Sequence, residues 1–133
     1  MNYLIDTNII IYSLKNEANV QTNFKRKGNI PKSISAITYG ELIYGAKKSQ
    51  YVEKNIAIVR RIAEIFPIIS ITASIMDAFG EIKANLESKG NVIGDMDLLI
   101  ASTAITNNMI LVTNNEKHFK SIHGLEIENW KNL

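Results

Sequence analysis

The chain has 133 residues, 46% of them apolar and 21% charged, which is the balance of a globular chain and excludes disorder. Its formal net charge is +2 and it contains no cysteine, so disulfides, thiolate zinc sites and a cysteine nucleophile are excluded. No apolar run reaches the ~18 residues of a membrane span, and the first residues lack the basic segment and small-residue cleavage site of a signal peptide.

A single cytoplasmic domain over residues 1–133 is the economical expectation. In chain order, residues 2–5 read as a strand, 9–15 as a helix, and 19–27 as a short basic helix closed by Gly28-Asn29 and Pro31. A second strand is predicted over 33–37, then helices over 38–49 and 52–66; the latter carries Ile56, Val59, Ile62 and Ala63 at core spacing. Residues 67–71 read as a third strand. Thr72 caps a long helix to about Lys89, with Gly90 in the C-terminal cap position. A helix over 95–106 follows Gly94, then a strand over 109–113, a helical turn over 115–119 and a terminal strand over 126–130.

Strands separated by helices predict a parallel sheet covered on both faces, a three-layer α/β/α domain. In such a sheet the strand C-termini share one edge, where open α/β folds keep their chemistry. Asp6, Thr38 and the Thr113-Asn114-Asn115 turn follow strands and are expected at that edge. Glu41 lies one turn into a helix, and Asp95 and Asp97 open another.

Each carboxylate also has a purely structural reading. Thr38 to Glu41 fits a capping box, Asp95 an N-cap, Asp97 a first-turn acid and Asp6 a cap for the first helix. Converging at one edge, however, Asp6, Glu41 and Asp97 would raise one another's pKa values unless a cation sat between them. Hard oxygen ligands with no cysteine and no histidine nearby would select Mg²⁺ or Mn²⁺ over zinc. Basic clusters, among them Lys47-Lys48 and Lys117 with Lys120, read as solvated helix faces or as phosphate contacts.

Four blocks together resemble the PIN-domain ribonucleases, specifically the VapC-type toxins of bacterial toxin-antitoxin pairs. They are Leu4-Ile5-Asp6-Thr7-Asn8-Ile9, Ser35 through Gly45, Ile93 through Ala101, and Leu111-Val112-Thr113-Asn114-Asn115 to Phe119. The likeness runs from the first residues to Trp130.

It implies a parallel sheet of about five strands, a homodimer, Mg²⁺- or Mn²⁺-dependent cleavage of RNA, and a cognate VapB-type antitoxin. It assigns Asp6, Glu41 and Asp97 as the catalytic and metal-binding acidic triad, Thr7 and Asn8 as supports of Asp6, and Thr113 and Asn115 as the residues completing the site. Many relatives carry a fourth acid in that last segment. Here Asn114-Asn115 stands in its place, with Glu116 beyond and His118 before Phe119. One firm metal site is therefore expected, and a second that is weak unless RNA or Asp95 contributes.

Lys47, Lys48 and Lys117 are the expected phosphate contacts, and Tyr12, Tyr39, Tyr44 and Tyr51 are candidates for an antitoxin groove. A tRNA loop is the favoured substrate, because single-stranded loops let bases be splayed into a site. Two other classes remain open: an RNA-binding module that keeps the fold without the chemistry, and a phosphatase using Asp6 as nucleophile. Against the phosphatase, Asp6-Thr7-Asn8 lacks the second acid of an Asp-x-Asp motif.

Overall fold

The computed structural model describes residues 2–133. Five parallel strands form one sheet in the order β3-β2-β1-β4-β5. They are β1 (Tyr3–Ile5), β2 (Lys32–Ser35), β3 (Ile68–Ile69), β4 (Ile110–Val112) and β5 (Ile127–Glu128). The helices are α1 (Thr7–Leu14), α2 (Ala18–Arg26), α3 (Ala36–Lys47), α4 (Val52–Ile65), α5 (Ala73–Ser88), α6 (Asp95–Thr106) and α7 (Glu116–Phe119).

β1 and β4, at the middle of the sheet, are apolar and buried at every position because both faces are covered. Alternate side chains go to opposite layers. Tyr3, Ile5, Ile110 and Val112 join Ile9, Val20, Leu42, Val59 and Ile62 in one core, while Leu4 and Leu111 join Leu86, Leu98, Ile100 and Phe119 in the other. Full burial of one such aliphatic side chain contributes roughly 1.5–3 kcal/mol. On the outer faces α3 packs on α4 and α5 on α6.

Several element ends follow local chemistry. Asp6 caps α1 and accepts from the Thr7 N–H, and Thr72 caps α5 by accepting from the Ile75 N–H. Gly90 has φ +75°, the left-handed conformation that closes a helix cheaply with glycine.

Other ends differ from the sequence expectation. β2 stops at Ser35, whose hydroxyl caps α3 by accepting from the Thr38 N–H at 2.9 Å. Thr38 therefore sits inside α3, and the Thr38–Glu41 capping box does not form. The 67–71 strand shortens to Ile68–Ile69, paired on one side with β2. Gly94, not Asp95, occupies the N-cap of α6.

The C-terminal residues are fastened to the first layer. The amide of buried Asn23 donates to the backbone oxygens of Trp130 (3.0 Å) and Asn132 (2.8 Å). Trp130 is buried edge-on against Tyr3 and Phe24, and its indole N–H donates to Glu128 at 2.9 Å. Lys27 pairs with the same carboxylate at 2.7 Å.

Candidate active site

The chain builds β1, β2 and β3 outward in one direction and then crosses to β4 on the other side of β1. The crevice between the ends of β1 and β4 is thus the topological switch point, where open α/β sheets bind ligands. Asp6 and Thr113 stand on its two sides, joined by a hydrogen bond from the Asp6 N–H to the Val112 carbonyl at 2.9 Å.

Asp6 is 3% exposed. The Thr7 N–H donates to its Oδ1 at 2.8 Å, and the Thr113 hydroxyl donates to Oδ2 at 2.7 Å. The Asn115 N–H in turn donates to Thr113 Oγ1 at 3.0 Å, which leaves the hydroxyl proton directed at Asp6. Asn8 braces the same group, its amide 3.3 Å from Asp6 Oδ2 and its oxygen accepting from the Asn114 N–H at 3.1 Å. Burial pushes the Asp6 carboxyl up to about 6 from its ordinary 3.8. The hydrogen bonds from Thr113 and Thr7 oppose this, while the charges of Asp97 and Glu41 add to it. The three carboxylates therefore share one electrostatic neighbourhood.

Glu41 reaches the edge from α3, where the Thr7 hydroxyl donates to Oε1 at 2.5 Å and lies 3.1 Å from the hydroxyl of buried Thr38. Thr7 therefore supports Asp6 through its backbone and Glu41 through its side chain, a division that its sequence position did not reveal. Asp97, in the first turn of α6, is half-buried, and His118 Nδ1 donates to its Oδ2 at 2.9 Å. Contrary to the sequence expectation, a histidine therefore stands beside the carboxylates, because the segment after β4 folds α7 against α6. Among the described residues, no lysine or arginine pairs with Asp6, Glu41 or Asp97.

Asp95, expected as a cap or an auxiliary ligand, turns away and pairs with Lys83 of α5 at 2.8 Å. Asn115 contributes its backbone to Thr113, and its side chain makes no capping bond to α7. Glu116 accepts from Asn129 at 2.9 Å. Lys117 is exposed on α7 beside the cluster. Lys47 and Lys48 lie at the far end of α3, with Lys48 over the Tyr44 ring; the six residues from Glu41 to Lys47 span ~9 Å of helix axis.

One basic residue near the edge was not anticipated. Lys131 Nζ sits 4.3 Å from the centre of the Tyr12 ring, and the Tyr12 hydroxyl accepts from Asn114 at 3.2 Å. The contact joins α1 to the C-terminal segment, so no local pattern could have announced it.

The cluster fits a hydrated hard dication. Among the described residues, no three acidic or histidine side chains converge closely enough to chelate one ion between them. Mg²⁺ is commonly held by only one or two carboxylates, keeping several waters. A carboxyl raised chiefly by burial and further by two acidic neighbours, with no lysine or arginine paired to it, is the donor set such an ion relieves.

Beside Glu41 runs an apolar groove of about 510 Å³ between α1, α3 and α4, whose lining includes Ile11, Leu14, Leu42, Ala46, Ile58 and Val59. Its lining is mainly aliphatic and includes none of Tyr12, Tyr39, Tyr44 and Tyr51. Tyr44 and Tyr51 are exposed, and Tyr12 and Tyr39 are half-buried against the core.

Residues 3–125 match the PIN domain family model. The chain belongs to the PIN-domain family. Within it, the relatives are of VapC type. Ribonuclease VapC2 of Rickettsia felis is 41% identical over 133 residues, and the tRNA(fMet)-specific endonuclease VapC of Shigella flexneri 36% over 132, with 98% of each chain covered in both cases. The PIN fold superposes on the crystal structure of VapBC2 from Rickettsia felis bound to a promoter DNA fragment. The TM-score is 0.91 at 40% identity, covering 98% of this chain and 99% of the other. No helix of the described residues is long and apolar enough to cross a membrane.

Proposed function

We propose that this chain is a metal-dependent endoribonuclease toxin that cuts a structured RNA, a tRNA loop foremost, and so inhibits translation until a VapB-type antitoxin covers it. One observation carries the chemical part of the reading. The buried Asp6 carboxyl is raised to about 6 at the switch-point edge with Glu41 and Asp97 beside it. The full-length likeness to a ribonuclease and to a tRNA endonuclease supports the substrate class.

A bound Mg²⁺ or Mn²⁺ supplies Lewis acidity toward the phosphodiester and lowers the pKa of an attacking water. Asp6 and Asp97 hold the ion, Asp6 being fixed by the Thr113 hydroxyl and the Thr7 N–H. Glu41, held at Oε1 by Thr7, orients the water and accepts its proton at the other carboxylate oxygen. Lys117 and Lys131 take phosphates flanking the cut, while Lys47 and Lys48 serve RNA that extends along α3. The chain acts in the cytoplasm as a homodimer. The apolar groove beside Glu41 receives an apolar antitoxin segment; that the similar Rickettsia felis structure is a VapBC2 complex supports a partner of this kind.

The test is incubation of metal-stripped protein with total bacterial RNA, with and without Mg²⁺ or Mn²⁺, beside Asp6→Asn, with mapping of new 5′ ends. Discrete metal-dependent cuts that vanish in the variant support the proposal. RNA bound equally well with and without metal, and left intact, replaces it with the binding-module reading. Hydrolysis of a small phosphomonoester with RNA intact points to the phosphatase instead.

A further inference from the structure

The acidic cluster draws one carboxylate each from the end of β1, the second turn of α3 and the first turn of α6, and its remaining side is formed by the segment after β4. In that segment Asn115 turns its backbone N–H to Thr113, and Glu116 is engaged by Asn129. Beyond Thr113, which holds Asp6, the group of this segment that meets a carboxylate of the cluster is His118, with Nδ1 2.9 Å from Asp97 Oδ2. The side chains are 58% and 24% exposed, and exposed pairs of this kind stabilise folding little. The spacing has a second meaning. Two adjacent corners of an octahedron with bonds of about 2.1 Å lie about 3 Å apart, so Asp97 Oδ2 and His118 Nδ1 stand at the separation of neighbouring ligands to one ion.

We propose that His118 is a ligand, through Nδ1, of the dication that Asp97 holds, and that its imidazole makes this site prefer Mn²⁺ to Mg²⁺. The proposal rests on the metal-dependent reading above. On binding, the Nδ1 proton passes to solvent or, by tautomer exchange through water, to Nε2, and the freed lone pair takes the ion. Mg²⁺ selects oxygen ligands and dehydrates reluctantly, whereas nitrogen donors suit transition ions. Mn²⁺ is the transition ion that also accepts carboxylates readily. With only two histidines in the chain, the nitrogen source is assignable. The other, His123, lies against a different cavity, formed with Ala78, Ile82 and Ile122.

The experiment is pulsed electron paramagnetic resonance of the full-length, metal-stripped protein loaded with Mn²⁺, which reads coordination directly through ¹⁴N modulation of the electron spin echo. It is paired with competition titrations of Mn²⁺ against Mg²⁺. The expected result is ¹⁴N modulation in the wild type and in His123→Gln, and its loss in His118→Gln. Affinity for Mn²⁺ should fall at least about tenfold in His118→Gln, the lower end of what losing even an outer-sphere partner costs. Affinity for Mg²⁺ should change by less than about twofold. His118→Asp, which supplies oxygen in place of nitrogen, should lose the modulation and gain Mg²⁺ affinity; circular dichroism checks that both variants fold. Mn²⁺ bound without ¹⁴N modulation, or with modulation that survives His118→Gln, overturns the proposal and leaves the metal reading standing. Failure of the wild type to bind Mn²⁺, or binding that is indifferent to Asp97→Asn, removes the metal reading and this proposal with it.

Discussion

Two carboxylates of this molecule are placed in opposite ways. Glu128 is pushed up by burial, but hydrogen bonds from Lys27 and Trp130, the charge of Lys27 and the Tyr3 hydroxyl more than offset that, and hold it below its ordinary value. Asp6, on the strand next but one, has more thorough burial and acidic neighbours, and rests near 6. Glu128 joins β5 to α2 and favours the folded chain at neutral pH. Asp6 opposes folding there. A fold keeps a carboxylate of the second kind where something outside the chain supplies the missing positive charge.

The contrast breaks most sharply at Asp6. Asp6→Asn should abolish cleavage, by a factor on the order of a thousand or more, equivalent to several kcal/mol of lost transition-state stabilisation. Single-turnover cleavage of the mapped RNA measures it, and a variant within tenfold of wild type would refute the assignment. The same substitution should leave the metal-free protein at least as stable as the wild type at pH 7.

The pH dependence sharpens the comparison. Because the folded Asp6 pKa lies above the unfolded one, its proton is retained longer in the folded state. Stability is then fully present below about 3.8 and declines until the pH passes about 6. The shift corresponds to at most about 3 kcal/mol. Urea unfolding of metal-free protein across that window should show the decline in the wild type but not in Asp6→Asn, and saturating Mn²⁺ should offset it at pH 7. Identical profiles would mean that Asp6 is not raised.

Thr113→Val removes the hydroxyl that holds Asp6 Oδ2 and should lower metal affinity by about 10- to 100-fold, as loss of an outer-sphere partner does. Thr113→Ser should restore it, with calorimetric titration as the measurement. Glu128→Gln has the smallest effect, about 1 kcal/mol of stability at neutral pH, discounted because the Lys27–Glu128 pair is partly exposed. The depressed Glu128 pKa makes that contribution present above the ordinary glutamate value of 4.5 and lost as pH falls through the folded value. The variant and wild type should therefore converge in acid, as thermal unfolding at pH 7 and pH 3 would reveal.

The sequence made the sheet edge readable where local chemistry was strong. Tyr3-Leu4-Ile5 is apolar throughout and Asp6 is a good cap, so β1, α1 and the position of Asp6 followed directly. Thr72 and Gly90 bounded α5 for similar reasons. The start of α3 was misplaced because Ser35 and Thr38 are both competent caps, and sheet pairing of Ser35 with Ile69 decided between them. The family resemblance assigned Thr7 to Asp6, which its backbone N–H serves, yet its hydroxyl serves Glu41, 34 residues away. Asp95 looked like a cap until Lys83, on another helix, claimed it. Contacts between distant elements determine which polar group faces which, and no periodicity encodes them.

The strand order also governs when the edge can exist. Sheet residues Tyr3, Leu4 and Ile5 are made long before Ile110, Leu111 and Val112, their partners on one side. Pairings so distant in sequence form late and slowly, since a long loop must close before any contact rewards it. During synthesis Asp6 waits without Thr113, and α1 without the turn that braces Asn8. The carboxylate edge is consequently assembled only once β4 and the turn after it have been made.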